Sequence, residues 1–140
     1  MRGEMREVRD ETVANATHGK IKSFKDLMVF NRSYDISIEL HKITLGFPKY
    51  EQYGGVADQI RRASKSIGVN IAEGYAKRTL SIAEFKRFLM IAFGSAEEMR
   101  VWAQYGKDLG YLNAEQAARY EKEYDEIAKM IYALHKKWTE

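Results

Sequence analysis

Gln59, Arg62, Ser66, Asn70 and Glu73 recur at steps of three and four residues, so on a helix they form a single polar stripe. Beside it runs an apolar stripe of Val56, Ile60, Ala63, Ile67 and Ile71. Polar groups bordering a core are costly unless hydrogen-bonded. The stripe is therefore expected to be a hydrogen-bonded seam that fixes helix register or a subunit interface, with Glu73 accepting from a neighbouring chain. The small residues Ala57, Ala63, Ser64, Ser66, Gly68 and Ala72, which let another helix come close, favour this over a ligand or nucleic-acid pocket. The same stretch is basic. Residues 56–80 hold Arg61, Arg62, Lys65, Lys77 and Arg78 against Asp58 and Glu73, a local +3 that equals the net charge of the whole chain. Repeated around an assembly, such a patch would make a belt that attracts phosphates and weakens with salt. Tyr75, next to Lys77 and Arg78, is expected in a loop where it could stack on a base. The competing reading is an ordinary solvated face.

Other chemistries are poorly served. With no cysteine, a disulfide framework, a thiolate metal site and a cysteine nucleophile are excluded. A di-iron bundle needs Glu-x-x-His on two helices, and none of His18, His41 or His135 has a glutamate three residues before it. Gly19-Lys20 lacks the upstream glycine of a phosphate-binding loop, and neither Gly-x-Ser-x-Gly nor Ser-x-x-Lys occurs. His41 lies on an apolar stripe and His135 beside one, the setting of a core or boundary histidine. No catalytic residue, metal or cofactor is expected, and the chain does not read as an enzyme.

The elements that position the stripe are helical. The 140 residues are 45% hydrophobic and 31% charged, with a single proline, a composition that suits one all-α domain. Ser23 to Asp26 reads as a capping box opening a first helix over about 24–45, with Gly46 as its stop. Phe47-Pro48 forces an extended link. A second helix is expected over 56–73, ending at Gly74. A third, over 81–108, is opened by Ser81 and Glu84 and closed by Gly110. A fourth, over 113–138, is opened by Asn113 and Gln116. Short links make successive helices antiparallel neighbours, hence an up-down-up-down four-helix bundle over 23–140 preceded by a flexible arm over 1–22. Between Phe85 and Phe93 the third helix is apolar nearly all round, interrupted only by Lys86 and Arg87. A helix greasy on every side must be covered on every side, so a homo-oligomer is expected. The first eleven residues are charged and lack an apolar h-region, and no apolar run is long enough to cross a bilayer. A cytoplasmic protein with no membrane partner follows as the expectation.

Three stretches carry a resemblance. QIRRASKSIGVNIAEG (59–74), FKDLMVFNRSYDISIELHKITLGFPKYEQYG (24–54) and EFKRFLMIAFGSAEEMRVWAQYGKDLGYL (84–112) together resemble the four-helix-bundle family first noticed within intervening sequences of 23S rRNA genes. The likeness covers everything but the arm. It implies an antiparallel bundle that assembles as a ring-shaped pentamer, with no established molecular role. A distantly similar set serves as accessory proteins of diversity-generating retroelements, binding nucleic acid and a reverse transcriptase. The function expected is thus weak RNA or DNA binding through Arg61, Arg62, Lys65, Lys77 and Arg78. The alternative is an adaptor for a protein such as a reverse transcriptase.

Overall fold

The computed structural model describes residues 21–138. Four helices account for most of them: α1 (Met28–Thr44), α2 (Val56–Lys77), α3 (Ile82–Asp108) and α4 (Ala114–Lys137). Short 3-10 turns lie at Phe24–Asp26 and Lys49–Glu51, and there is no strand among the described residues. Of the arm expected over 1–22, all but Ile21 and Lys22 lies outside them.

The chain punctuates itself as local chemistry requires, with two corrections. Ser23 and Asp26 do cap one another: Ser23 Oγ accepts from the Lys25 N–H at 3.1 Å, and the Asp26 carboxylate accepts from the Ser23 N–H at 3.2 Å. They close one 3-10 turn, however, and do not open the long helix. Leu27 leaves the helical region at ψ 124°, where it is completely buried, and α1 starts at Met28. Asn31 braces the break, its side-chain amide donating to the carbonyls of Lys25 and Leu27. The second correction is at Gly74, which does not end α2; the helix continues to Lys77. Gly74 serves packing instead, because a Cβ there would lie 2.7 Å from Cβ of Phe88.

Ser81 Oγ caps α3 by accepting from the Glu84 N–H at 3.1 Å. The Glu84 carboxylate turns to Arg87 rather than back to Ser81, whose N–H is already taken by the Lys77 carbonyl. Gly110, at φ +83°, reverses the chain, and Asn113 and Gln116 form a reciprocal box that opens α4.

Contacts run in opposite directions along each neighbouring pair. Thr44 meets Arg61 while Phe30 meets Gly68; Ser66 meets Ser95 while Gly74 meets Phe88; Arg100 meets Glu121 while Phe85 meets Trp138. The helices are therefore antiparallel in sequence order, and α4 returns beside α1, where Arg119 reaches Glu39. The core is an apolar column filled by Leu40, Ile60, Ile67, Phe85, Leu89, Tyr120, Tyr124 and Ile131, among others. No helix among the described residues is long and apolar enough to cross a membrane.

A candidate nucleic-acid interface on helix α2

Helix α2 sits between α1 and α3, and its polar side chains sort by which neighbour they reach. Arg61 turns toward the α1–α2 link. It donates to Thr44 Oγ1 at 2.9 Å, to the Gln52 carbonyl at 3.1 Å and to Gln52 Oε1 at 3.0 Å. Gln52 in turn donates to the carbonyls of Thr44 and Phe47. Glu51 completes the link, accepting from the Val56 N–H at 2.8 Å and from the Tyr111 hydroxyl at 2.6 Å. These two bonds, Tyr111 first, hold the Glu51 carboxyl below its ordinary range. Arg61 is thus half-buried and acts as a strut.

One turn further on, Lys65 Nζ lies 2.8 Å from Nδ1 of His41. Burial, then the charges of Lys65 and Arg61, lower the His41 pKa; burial, then Arg61, lower that of Lys65. The pair is a lysine donating to a neutral imidazole. Arg62 faces solvent, its side chain 72% exposed, with one 3.3 Å contact to Asp58 on its own helix. At the far end Lys77 lies over the Phe88 ring at 5.2 Å, and the Arg78 guanidinium covers the Tyr75 ring at 3.7 Å. Tyr75 therefore is not in a loop. It is a buried residue of α2 under an arginine, and the place in which a base would stack is filled. The five cations do not gather in one patch. Arg61, Arg62 and Lys65 stand at the N-terminal half of α2, and Lys77 and Arg78 lie roughly 18 Å away by helical rise.

The polar stripe divides likewise. Ser66 Oγ meets Ser95 Oγ at 3.0 Å, and Asn70 donates to the Ser66 carbonyl at 2.8 Å and to its hydroxyl at 3.0 Å, making a small α2–α3 seam. Glu73 is exposed, Gln59 half-buried, and neither joins it; Arg62 pairs with Asp58 instead. On the opposite side of α2 a groove of about 340 Å³ opens toward α1 between Phe30, Tyr34, Lys65 and Val69.

Sequence reasoning missed the cross-helix ion pairs. Arg32 of α1 reaches Glu123 at 3.1 Å and also Glu126 on α4. Arg119 forms a two-pronged pair with Glu39 at 2.6 and 3.0 Å, and Glu39 also accepts from the buried Tyr120 hydroxyl at 2.6 Å. Arg100 joins Glu121 of α4 at 2.9 Å and Glu97 on its own helix at 3.0 Å. The visible signal was the helical spacing of Glu121 with Asp125 and of Glu123 with Glu126, two acidic rows on the fourth helix. Among the described residues no three of His, Asp and Glu gather in a way that could hold a metal ion.

A four-helix bundle with a polar, basic second helix and a rigid proline-containing link is the class of protein these features define. The chain belongs to the 23S rRNA-intervening sequence protein family, whose profile matches residues 25–133. Among solved structures it is similar to a protein of unknown function from the S23 ribosomal protein family of Bacteroides thetaiotaomicron. That likeness has a TM-score of 0.69 at 25% identity and covers 77% of this chain and 95% of the other. None of the curated proteins matches.

Proposed function

We propose that this chain is a non-enzymatic, homo-oligomeric cytoplasmic protein that binds RNA or DNA weakly through α2. The observation that carries the reading is a difference in how arginines and lysines are answered. Arg32, Arg100 and Arg119 each meet carboxylates on another helix. Arg62, Lys65 and Lys77 are exposed, and among the described residues no carboxylate of another helix pairs with them. Lys122, Lys129, Lys136 and Lys137 of α4 are exposed as well, but α4 carries five acids against five bases. Residues 56–80 carry two acids against five bases, and such a basic excess is the footprint expected of phosphate binding. Arg78 adds its charge at the C-terminal end, and Arg61 fixes the link beside them.

Assembly is supported by the outer face of α3. Met90, Ile91, Val101 and Tyr105 are exposed along it, with Gly94 between them. A glycine inside a helix costs about 1 kcal/mol relative to alanine. At Gly68, Gly74 and Gly106 a Cβ would crowd a neighbouring side chain, whereas at Gly94 it would meet nothing within 4 Å. Among the described residues nothing calls for Gly94, and close approach of a second copy does. Glu73 is free to accept from such a copy, and five copies is the number the family resemblance implies.

Light scattering together with anisotropy of labelled RNA and DNA at low and high salt tests the reading. The expected result is a multiple of the single-chain mass, with binding that weakens as salt rises and is lost in the Arg62→Glu, Lys65→Glu double variant while helicity is unchanged. Binding that survives the charge reversal overturns the nucleic-acid assignment. A single-chain mass overturns the oligomer. A single-chain mass without nucleic-acid binding leaves the alternative, an adaptor whose α3 stripe meets a partner such as a reverse transcriptase.

A further inference from the structure

The α1–α2 link carries two largely exposed aromatic rings, Tyr53 and Tyr50, the latter with its hydroxyl beside that of Tyr111. Tyr53 is 90% exposed and Tyr50 76% exposed, on a segment that is tightly built. Glu51 is tied to the Val56 N–H and the Tyr111 hydroxyl, and Gln52 to Thr44, Phe47 and Arg61. The Gly54 N–H donates to Asp58 at 2.9 Å, and Gly54 takes the positive φ of 76° that the turn requires. Tyr53 is therefore bracketed by two anchored residues. Each anchor leads to a cation: Gln52 to Arg61, and Gly54 through Asp58 to Arg62. Lys49 is exposed next to Tyr50. The carboxylates nearest these rings, Glu51 and Asp58, are occupied by backbone N–H groups at the start of α2.

We propose that the Tyr50–Tyr53 link is a stacking platform for unpaired bases, so that the nucleic acid held along α2 is a single strand rather than a duplex. The inference rests on the nucleic-acid reading above and specifies its ligand. Exposed aromatic rings beside cations are what single-strand sites require, because each base offers a π-face and the backbone follows the positive charge. A duplex keeps its base faces stacked on one another and has none to offer. The bonds to Glu51, Gln52 and Gly54 hold the backbone that carries the rings before binding, so only the tyrosine side chains remain to be ordered when a base arrives. Arg62 and Lys65 then lie where the phosphates of the same strand run on along α2. The platform replaces Tyr75, whose ring is already covered by Arg78.

The test is anisotropy with a short labelled mixed-sequence single strand and with its duplex, using the full chain and its Tyr53→Ala, Tyr53→Trp and Tyr50→Ala variants. The expected result is tighter binding of the single strand, a loss of at least about five-fold in Tyr53→Ala, retention in Tyr53→Trp, and no change for the duplex. Equal binding of the two forms, or single-strand binding indifferent to both tyrosines, overturns the platform while leaving the charge-dependent reading standing. Binding of neither form removes both. A change of solution mass in Tyr53→Ala with nucleic-acid binding intact reassigns the link to protein contact and likewise overturns the proposal.

Discussion

Helices α4 and α2 handle charge in opposite ways. The acids of α4 take up arginines from both flanking helices, Arg32 from α1 and Arg100 from α3, while its own Arg119 returns to Glu39. On α2 the cross-helix contacts go to neutral partners, Ser66 to Ser95, Arg61 to Thr44, Lys65 to the His41 ring and Lys77 to the face of Phe88, so its cations keep their charge uncancelled by a carboxylate of another helix. A helix whose bases are matched in number by its own acids, as the exposed lysines of α4 are, offers little to an external polyanion. A helix with a basic excess does, and the difference between α2 and α4 lies in the balance of acids and bases together with the packing partner.

The sharpest way to break the comparison is at Glu39. Glu39→Leu removes the acceptor of Arg119 and leaves the Tyr120 hydroxyl, on a side chain only 1% exposed, without a partner. A loss of about 2–3 kcal/mol in urea unfolding is expected, mostly from the stranded hydroxyl, since the partly exposed ion pair contributes little. Glu39→Gln, which can still accept from Tyr120, should lose less. Equal losses would shift the weight to the ion pair.

Tyr124 reports on the same seam with the opposite sign. Its hydroxyl is buried with no hydrogen-bond partner among the described residues, and burial raises its pKa far above the ordinary phenol value. Tyr124→Phe removes a polar group that folding desolvates without return, so stability should rise by about 1 kcal/mol. A loss instead would reveal an acceptor for that hydroxyl.

Acid separates the two regions. The Arg119 charge-assisted bond, then Tyr120, lowers the Glu39 pKa below its ordinary 4.5. Its contribution is present above that value and lost as pH falls through the lower folded one. His41 is lowered from 6.5 by burial and by the Lys65 and Arg61 charges, so the unfolded chain takes the proton first. Stability therefore falls as pH drops below about 6.5 toward the folded pKa, and levels off beneath it. Melting temperatures of wild type, Glu39→Gln and His41→Gln across this range should show each variant flattening its own window.

The smallest effect on folding is expected at Arg62. Arg62→Gln removes one long, exposed i,i+4 contact and should change stability by less than about 0.5 kcal/mol. It should nevertheless weaken nucleic-acid binding and reduce the salt slope by about one. A comparable substitution at Arg119, whose pair with Glu39 is also partly exposed, should likewise change stability little but leave binding alone.

How much of this was legible depended on range. The caps at Ser81 and Asn113, the reversal at Gly110 and the apolar spacing of α4 could be read directly, because each is a relation between residues within a turn or two of helix. Gly74 and Leu27 misled for a common reason. The usual meaning of a glycine or a capping box is local, but Phe88 pressing on α2 and the burial of Leu27 settled what each did. Among the candidate site residues, Ser66 and Asn70 could be read as neighbours on one helix face, while Ser95, whose hydroxyl meets that of Ser66, lies on a different helix and left no sign. Tyr75 looked free beside two cations until α2 was seen to run past it.

A helical chain, its breaks, its inner apolar faces and the basic bias of residues 56–80 follow from the order of residues alone. Periodicity and capping, acting over a few residues, suffice for that. Only the tertiary structure decided which charges are cancelled, which tyrosines are covered and which face outward. Those outcomes depend on the register at which antiparallel helices meet, and on Phe88, Ser95 and Glu39 arriving from distant parts of the chain.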